Sequence, residues 1–151
     1  MIDVGSTLES TSVQLSDGTT ADLLGEGHRG TLVYFMRTTT CMMCNAHVRT
    51  LTSNAKDFRD RGVRVLIAVP QEATAAQAWV ERRRIPFPVV PGLHGDLGLA
   101  RRLLGSMMQS GTVVVDATGR VTYADIVTMP TGGYRHRDVL AALDALPQHA
   151  G

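Results

Sequence analysis

What the chain lacks bounds it first. No segment approaches the roughly 20 consecutive apolar residues that a membrane-spanning helix needs. The opening Met1-Ile2-Asp3-Val4-Gly5-Ser6 carries neither the basic stretch nor the apolar core of a secretory signal, so a soluble, cytoplasmic protein is expected. Charge of either sign forms no long block: 15 Lys and Arg stand against 14 Asp and Glu, for a net charge of +1. The densest basic cluster, Arg82-Arg83-Arg84, reads as a solvated helix end, and neither nucleic acid nor an anionic membrane is expected as a partner. Internal repeats and low-complexity tracts are absent as well.

Cysteine is scarce, with Cys41 and Cys44 the only two. Two such residues cannot form a disulfide scaffold, and in a reducing compartment their spacing points to metal binding or redox catalysis. Zinc would need two further ligands. His28, His47, His94, His136 and His149 are scattered without a second paired spacing, so no metal and no cofactor is expected.

What is present is enough for one packed unit. At 151 residues with 44% hydrophobic content, the chain is long enough for one proper core and too short for two, so residues 1–151 are read as a single domain. Thr31 to Met36 is apolar and rich in β-branched and aromatic residues, which predicts a buried strand, and helical spacing begins near Cys41. Both sulfurs therefore sit where a strand hands over to a helix. The first turn of a helix presents unpaired N–H groups and the positive end of its dipole, which favour a thiolate over a thiol.

In chain order, Ser12 to Leu15 and Ala21 to Leu24 flank the turn residues Ser16-Asp17-Gly18-Thr19 and predict a short hairpin. Val48, Leu51, Ala55 and Phe58 recur at helical spacing, and Gly62 ends that helix. Val63 to Val69 follows as a second strand, and strand, helix, strand implies a parallel crossover. A second helix is expected over Glu72 to Arg84, with Ala75, Ala76, Trp79 and Val80 packing. The prolines of Ile85 to Pro91 then enforce extended chain. Leu97, Leu99, Ala100, Leu103 and Leu104 suggest a third helix closed by Gly105. Thr112–Asp116 and Val121–Val127 read as an antiparallel strand pair, and Val139, Leu140, Leu143 and Leu146 as a C-terminal helix.

This order, with Leu15-Ser16-Asp17-Gly18, the strand into Cys41 and Cys44, Ile85-Pro86-Phe87-Pro88-Val89-Val90, Asp96 to Gly105 and Val113 to Val121, resembles the peroxiredoxins of the alkyl hydroperoxide reductase and thiol-specific antioxidant type. The resemblance covers most of the chain. It implies an α/β, thioredoxin-like three-layer fold, a mixed central sheet flanked by helices with a short N-terminal hairpin.

It also implies chemistry. Against the family pattern P-x-x-x-T-x-x-C, Cys44 takes the cysteine position, Cys41 the threonine position and Arg37 the proline position. Cys44 would then attack the peroxide and Cys41 would resolve the sulfenic acid as a disulfide. A second register makes Cys41 the attacking residue, with Thr38 as the threonine and Tyr34 in place of the proline. The family's activating arginine falls near Ser110, within Gln109-Ser110-Gly111-Thr112. The C-x-x-C pair is similar to that of thioredoxin, although Thr40 stands where thioredoxin has tryptophan and Gly111 where it has its cis-proline.

Four further residues are candidates for stabilising substrate or thiolate. Arg37 is the nearest cation in sequence, or a solvated strand end. Thr38 and Thr40 could cap the helix or hold a peroxide oxygen. His47, three residues past Cys44, could donate a proton to the leaving hydroxide or simply face solvent. Met42 and Met43 would shield the sulfurs or fill core. The implied partners are a peroxide, a thiol reductant such as a thioredoxin-like donor, and a second copy in a homodimer. Thiol–disulfide exchange and a non-catalytic redox sensor are the alternative functions for the same pair.

Overall fold

The computed structural model describes residues 3–8, 12–24, 27–92, 102–104, 107–128 and 132–147. Its centre is strand β3 (Gly30–Phe35), buried along its whole length because both of its faces are covered. β4 (Val63–Ala68) pairs with it in parallel, Gly30 opposite Val63 through Phe35 opposite Ala68. On the other side β8 (Ser110–Asp116) runs antiparallel, with Thr31 opposite Val115 and Phe35 opposite Gly111. The two-residue β5 (Val89–Val90) and β9 (Val121–Val127) complete a five-stranded mixed sheet in the order β5-β4-β3-β8-β9. The predicted parallel crossover and antiparallel strand pair are both there.

Alternation along β3 sorts the core into two halves. Leu32, Tyr34 and Met36 face one way, onto helices α1 (Met42–Ser53), α2 (Ala55–Asp60), α3 (Ala73–Arg83) and α4 (His136–Asp144), which contribute Val48 and Leu51, Phe58, Ala76 and Trp79, and Val139 and Leu143. Val33 and Phe35 face the opposite way, onto the expected hairpin of β1 (Ser12–Gln14) and β2 (Thr20–Asp22), through Val13, Leu15 and Leu23. Among the described residues no helix is long and apolar enough to cross a membrane.

Three expectations are corrected. The run from the cysteines to Gly62 is two helices, because the hydroxyls of Thr50 and Thr52 and the amide of Asn54 turn back onto carbonyls four residues earlier, at 3.2, 2.9 and 2.8 Å. Such back-bonding competes with the helical ladder and opens the chain at Asn54. Leu103 and Leu104 belong to a strand, β6 (Arg102–Leu104), paired antiparallel with β7 (Met107–Met108); the remaining positions of that expected helix, Leu97, Leu99 and Ala100, lie outside the described residues. Ala75 is exposed, since α3 packs through Ala76 and Trp79, one turn apart.

Gly111 marks where β9 presses closest on β8. A Cβ there would strike the carbonyl oxygen of Asp125 and lie 2.8 Å from the Cα of Ile126. The turn containing Gly133 packs against the same point, and the Thr112 hydroxyl donates to the Gly133 carbonyl to hold it.

Candidate active site

The chain leaves β3 through Met36, whose N–H donates to the Ala68 carbonyl at 2.9 Å, and then turns before α1 begins. Thr38, Thr39 and Thr40 make that turn. Thr40 N–H donates to the Thr38 hydroxyl at 3.2 Å, and the Thr38 and Thr40 hydroxyls lie 2.9 Å apart. The threonine hydroxyls thus bond within the loop, and neither caps the helix that follows.

Cys41 is the N-cap of α1. Its backbone is extended, and its sulfur accepts the backbone N–H of Cys44 at 3.2 Å. The half-buried Cys41 sulfur therefore stands at the positive end of the helix dipole, in the place that serine or aspartate commonly takes. Cys44, one turn inward, is fully buried. Burial first, then the hydrogen bond to Cys41, push its thiol up to about 11, although the backbone N–H of Arg37 and the hydroxyl of Tyr34, both beside its sulfur, favour the thiolate. Both cysteines are free thiols.

The other candidates separate. The Arg37 side chain reaches away along the sheet end, its Nη1 donating to the Thr128 carbonyl at 3.3 Å, so what it offers Cys44 is its backbone N–H. His47 turns inward: its Nδ1 lies 2.7 Å from the Tyr34 hydroxyl, and its ring packs against Tyr34 and Tyr134 with centroids 5.6 and 6.0 Å away. Burial lowers the imidazole's pKa, against the pull of Asp125. Met42 and Met43 point outward, 81% and 40% exposed, and do not shield the sulfurs.

Three residues that build this site were not singled out from sequence. Asn45 donates from Nδ2 to the carbonyls of Thr39 and Cys41, at 2.9 and 2.8 Å, and accepts the Trp79 indole N–H at 2.9 Å. Gln71, just beyond β4, accepts the Thr39 N–H at 3.0 Å. Tyr34 places its hydroxyl between Cys44 and His47, and burial, followed by the neighbouring sulfur, raises its phenol far above the ordinary range. One signal was available for two of them: a tyrosine inside an apolar strand and an asparagine on a buried helix face both need polar partners. Ser110, at the position of the expected arginine, is buried with a hydroxyl that has no hydrogen-bond partner among the described residues. Among the described residues, no group of three or more His, Cys, Asp or Glu side chains is arranged to hold a metal ion.

This geometry has relatives. Residues 4–124 match the AhpC/TSA family. The fold is similar to that of peroxidoxin BcpB from Mycobacterium tuberculosis, with a TM-score of 0.80 and 19% identity over 97% of this chain and 99% of that one. It is also similar to a cysteine-to-serine mutant of PrxQ from Xylella fastidiosa, with 0.78 and 16% over 96% and 97%. The mitochondrial 2-Cys peroxiredoxin of Plasmodium falciparum gives 0.74 and 17% over 94% and 92%. No curated protein matches the sequence. With its strand-to-helix cysteines, its mixed sheet and the match over residues 4–124, the chain belongs to the AhpC/TSA family of thiol-dependent peroxidases and has the thioredoxin-like fold expected of it.

Proposed function

We propose that residues 1–151 form one redoxin domain that reduces hydrogen peroxide or alkyl hydroperoxides through Cys41 and Cys44, with Cys41 the sulfur that meets the peroxide. The observation that carries this order is the pairing of a half-buried sulfur at the helix N-cap with a fully buried one beneath it. A thiolate at Cys41 keeps the N–H of Cys44 as a donor and faces the helix dipole, whereas ionising Cys44 means charging a buried group. The family register alone gave the opposite order, with Cys44 attacking.

In this reading the Cys41 thiolate attacks one peroxide oxygen and the O–O bond breaks. The sulfur is oxidised by two electrons to the sulfenic acid, and the departing alkoxide or hydroxide takes a proton to leave as alcohol or water. Cys44 then displaces hydroxide from the Cys41 sulfenic acid; the S–S bond forms, the S–O bond breaks, and water leaves. A thiol reductant, such as a thioredoxin-like protein, returns both sulfurs to thiols by exchange. Exposed Met42 and Met43 beside Cys41 leave room for a protein thiol to approach. The same reading has the protein act in the cytoplasm, as a homodimer.

The test is stopped-flow mixing of the reduced protein with hydrogen peroxide, with sulfenic acid trapped by a dimedone reagent. Reaction well above that of free cysteine thiolate is expected, with loss of reaction in Cys41→Ser and a trapped sulfenic acid on Cys41 in Cys44→Ser. A rate no greater than that of free cysteine, or sulfenic acid on Cys44 in Cys41→Ser at the native rate, overturns it.

A second reading has support from the same N-cap geometry: thiol–disulfide exchange through an outer and an inner cysteine. It predicts reduction of insulin disulfides and a mixed disulfide trapped on Cys41 in Cys44→Ser, and inertness towards disulfides removes it.

A further inference from the structure

If Cys44 is the resolving thiol, its proton has to leave a fully buried site before or as the S–S bond forms. Its sulfur has three polar neighbours: the Cys41 sulfur, the Arg37 backbone N–H and the Tyr34 hydroxyl. The N–H can only donate. The Cys41 sulfur stops being a base once it carries oxygen, and that oxygen departs on the side opposite the attacking Cys44. Tyr34 is then the neighbour able to receive a proton, and its hydroxyl is 2.7 Å from His47 Nδ1.

We propose that Tyr34 and His47 form a proton relay that removes the Cys44 proton during disulfide formation, from Cys44 Sγ to Tyr34 Oη and from Tyr34 Oη to His47 Nδ1. The relay deepens the reading given above and rests on it. Before the step, His47 carries its proton on Nε2 and accepts from the Tyr34 O–H. During the step, Tyr34 takes the thiol proton while passing its own to Nδ1, so the phenol is never left charged. Afterwards Tyr34 donates to the sulfur and the imidazolium donates to Tyr34. The two electrons of the new S–S bond come from Cys44, hydroxide leaves Cys41 and takes a proton from solvent, and the half-exposed His47 gives its extra proton to water.

The surroundings suit both ends. Tyr34 lies edge-on to both His47 and Tyr134, each at 89°, so its hydroxyl is fixed between the sulfur and the imidazole. His47 is faced by Tyr34 from β3, by Asp125 from β9 and by Tyr134 ahead of α4, and Asp125 is itself paired to Arg135 at 3.3 Å. Burial keeps the imidazole neutral, and so ready to accept, near neutral pH. Transfer from the thiol is uphill at rest and goes to completion only as the sulfur bonds to Cys41, which is general base catalysis.

The experiment oxidises the reduced full-length protein with one equivalent of hydrogen peroxide. It then follows the disappearance of dimedone-trappable sulfenic acid on Cys41 from mildly acidic to alkaline pH. In the native protein, condensation slows on the acid side as His47 becomes charged. In Tyr34→Phe and His47→Gln it should be at least about tenfold slower at neutral pH. Its rate should then climb only as the pH approaches the thiol's own titration. Tyr134→Phe, which removes a neighbouring hydroxyl bonded to His136 at 2.8 Å, controls for packing and should keep the native pH profile. Condensation at the native rate and pH dependence in both Tyr34→Phe and His47→Gln overturns the relay. Failure of sulfenic acid to form on Cys41 at all overturns instead the reading on which the relay rests.

Discussion

The indole N–H of Trp79 donates to the side-chain oxygen of Asn45 at 2.9 Å, which ties helix α3 to the first turn of α1 inside the core. Through its amide nitrogen the same asparagine holds the carbonyls of Thr39 and Cys41, so the only tryptophan of the chain is two hydrogen bonds away from the N-cap cysteine.

Replacing Asn45 with alanine leaves two buried groups, the Trp79 indole N–H and the Thr39 carbonyl, without that partner, while the Cys41 carbonyl keeps the backbone N–H of residue 45. At about 1 to 3 kcal/mol for each buried group left unsatisfied, partly relieved by relaxation, Asn45→Ala should lose about 2 to 4 kcal/mol. Urea unfolding read by Trp79 fluorescence measures this, and a loss under about 1 kcal/mol would mean that the network is not what fixes the loop.

Cys44 makes stability depend on pH in a defined window. A thiol in the unfolded chain titrates near ~8.5, whereas the folded Cys44 titrates at about 11, so above the first value the unfolded state releases a proton that the folded state keeps. The contribution of Cys44 is therefore fully present below that point and falls as pH rises towards 11, by about 3 kcal/mol in all. Under reducing conditions the native protein should lose stability over this range relative to Cys44→Ala. A parallel pH dependence in the two proteins would contradict it. At neutral pH iodoacetamide should modify Cys41 first.

Arg37 offers the Cys44 sulfur a backbone N–H while its guanidinium is committed to Thr128, so its charge matters little to the first oxidation. Arg37→Gln should keep the peroxide rate within about threefold, where loss of a donor aimed at developing charge costs about 100-fold or more. A fall of that larger size in stopped-flow kinetics would show that the side chain swings onto the substrate.

Ser110 carries a buried hydroxyl with no partner among the described residues, so nothing there compensates its desolvation. Ser110→Ala should leave stability unchanged or raise it by up to about 1 kcal/mol in chemical denaturation. A clear loss would reveal a partner for this oxygen, the position at which the family arginine was expected.

The sheet was legible because its strands are dense in Val, Ile, Leu and aromatic residues and are punctuated by Gly62, Pro70 and the turn Ala117-Thr118-Gly119-Arg120. The short two-residue β5 also follows from the prolines around it, which leave only Val89 and Val90 to pair with β4. Periodicity could not reveal the break at Asn54, because apolar spacing continues across it to Phe58 while the interruption comes from polar side chains bonding locally. Leu103 and Leu104 fit a helix by spacing alone, and pairing with Met107 and Met108 decided for strand. The site was readable as far as Cys41, Cys44 and the helix start. Its supporting atoms were not, since Tyr34, Gln71 and Asn45 meet the cysteine loop from three separate segments.

Gly111 carries a consequence for how this sequence can vary. The backbone of β9 fills the space of its missing side chain on one side, and a Cβ at Gly133 would lie only 3.1 Å from its Cα on the other. Introducing a proline at position 111 by a single substitution would drive the ring into the β9 backbone at Asp125 and Ile126. A side chain here needs the β9 backbone to move away, and one at Gly133 would press on position 111 in turn. A side chain at position 111 is therefore a coupled change, out of reach of one substitution unless the backbone at Asp125 and Ile126 shifts with it.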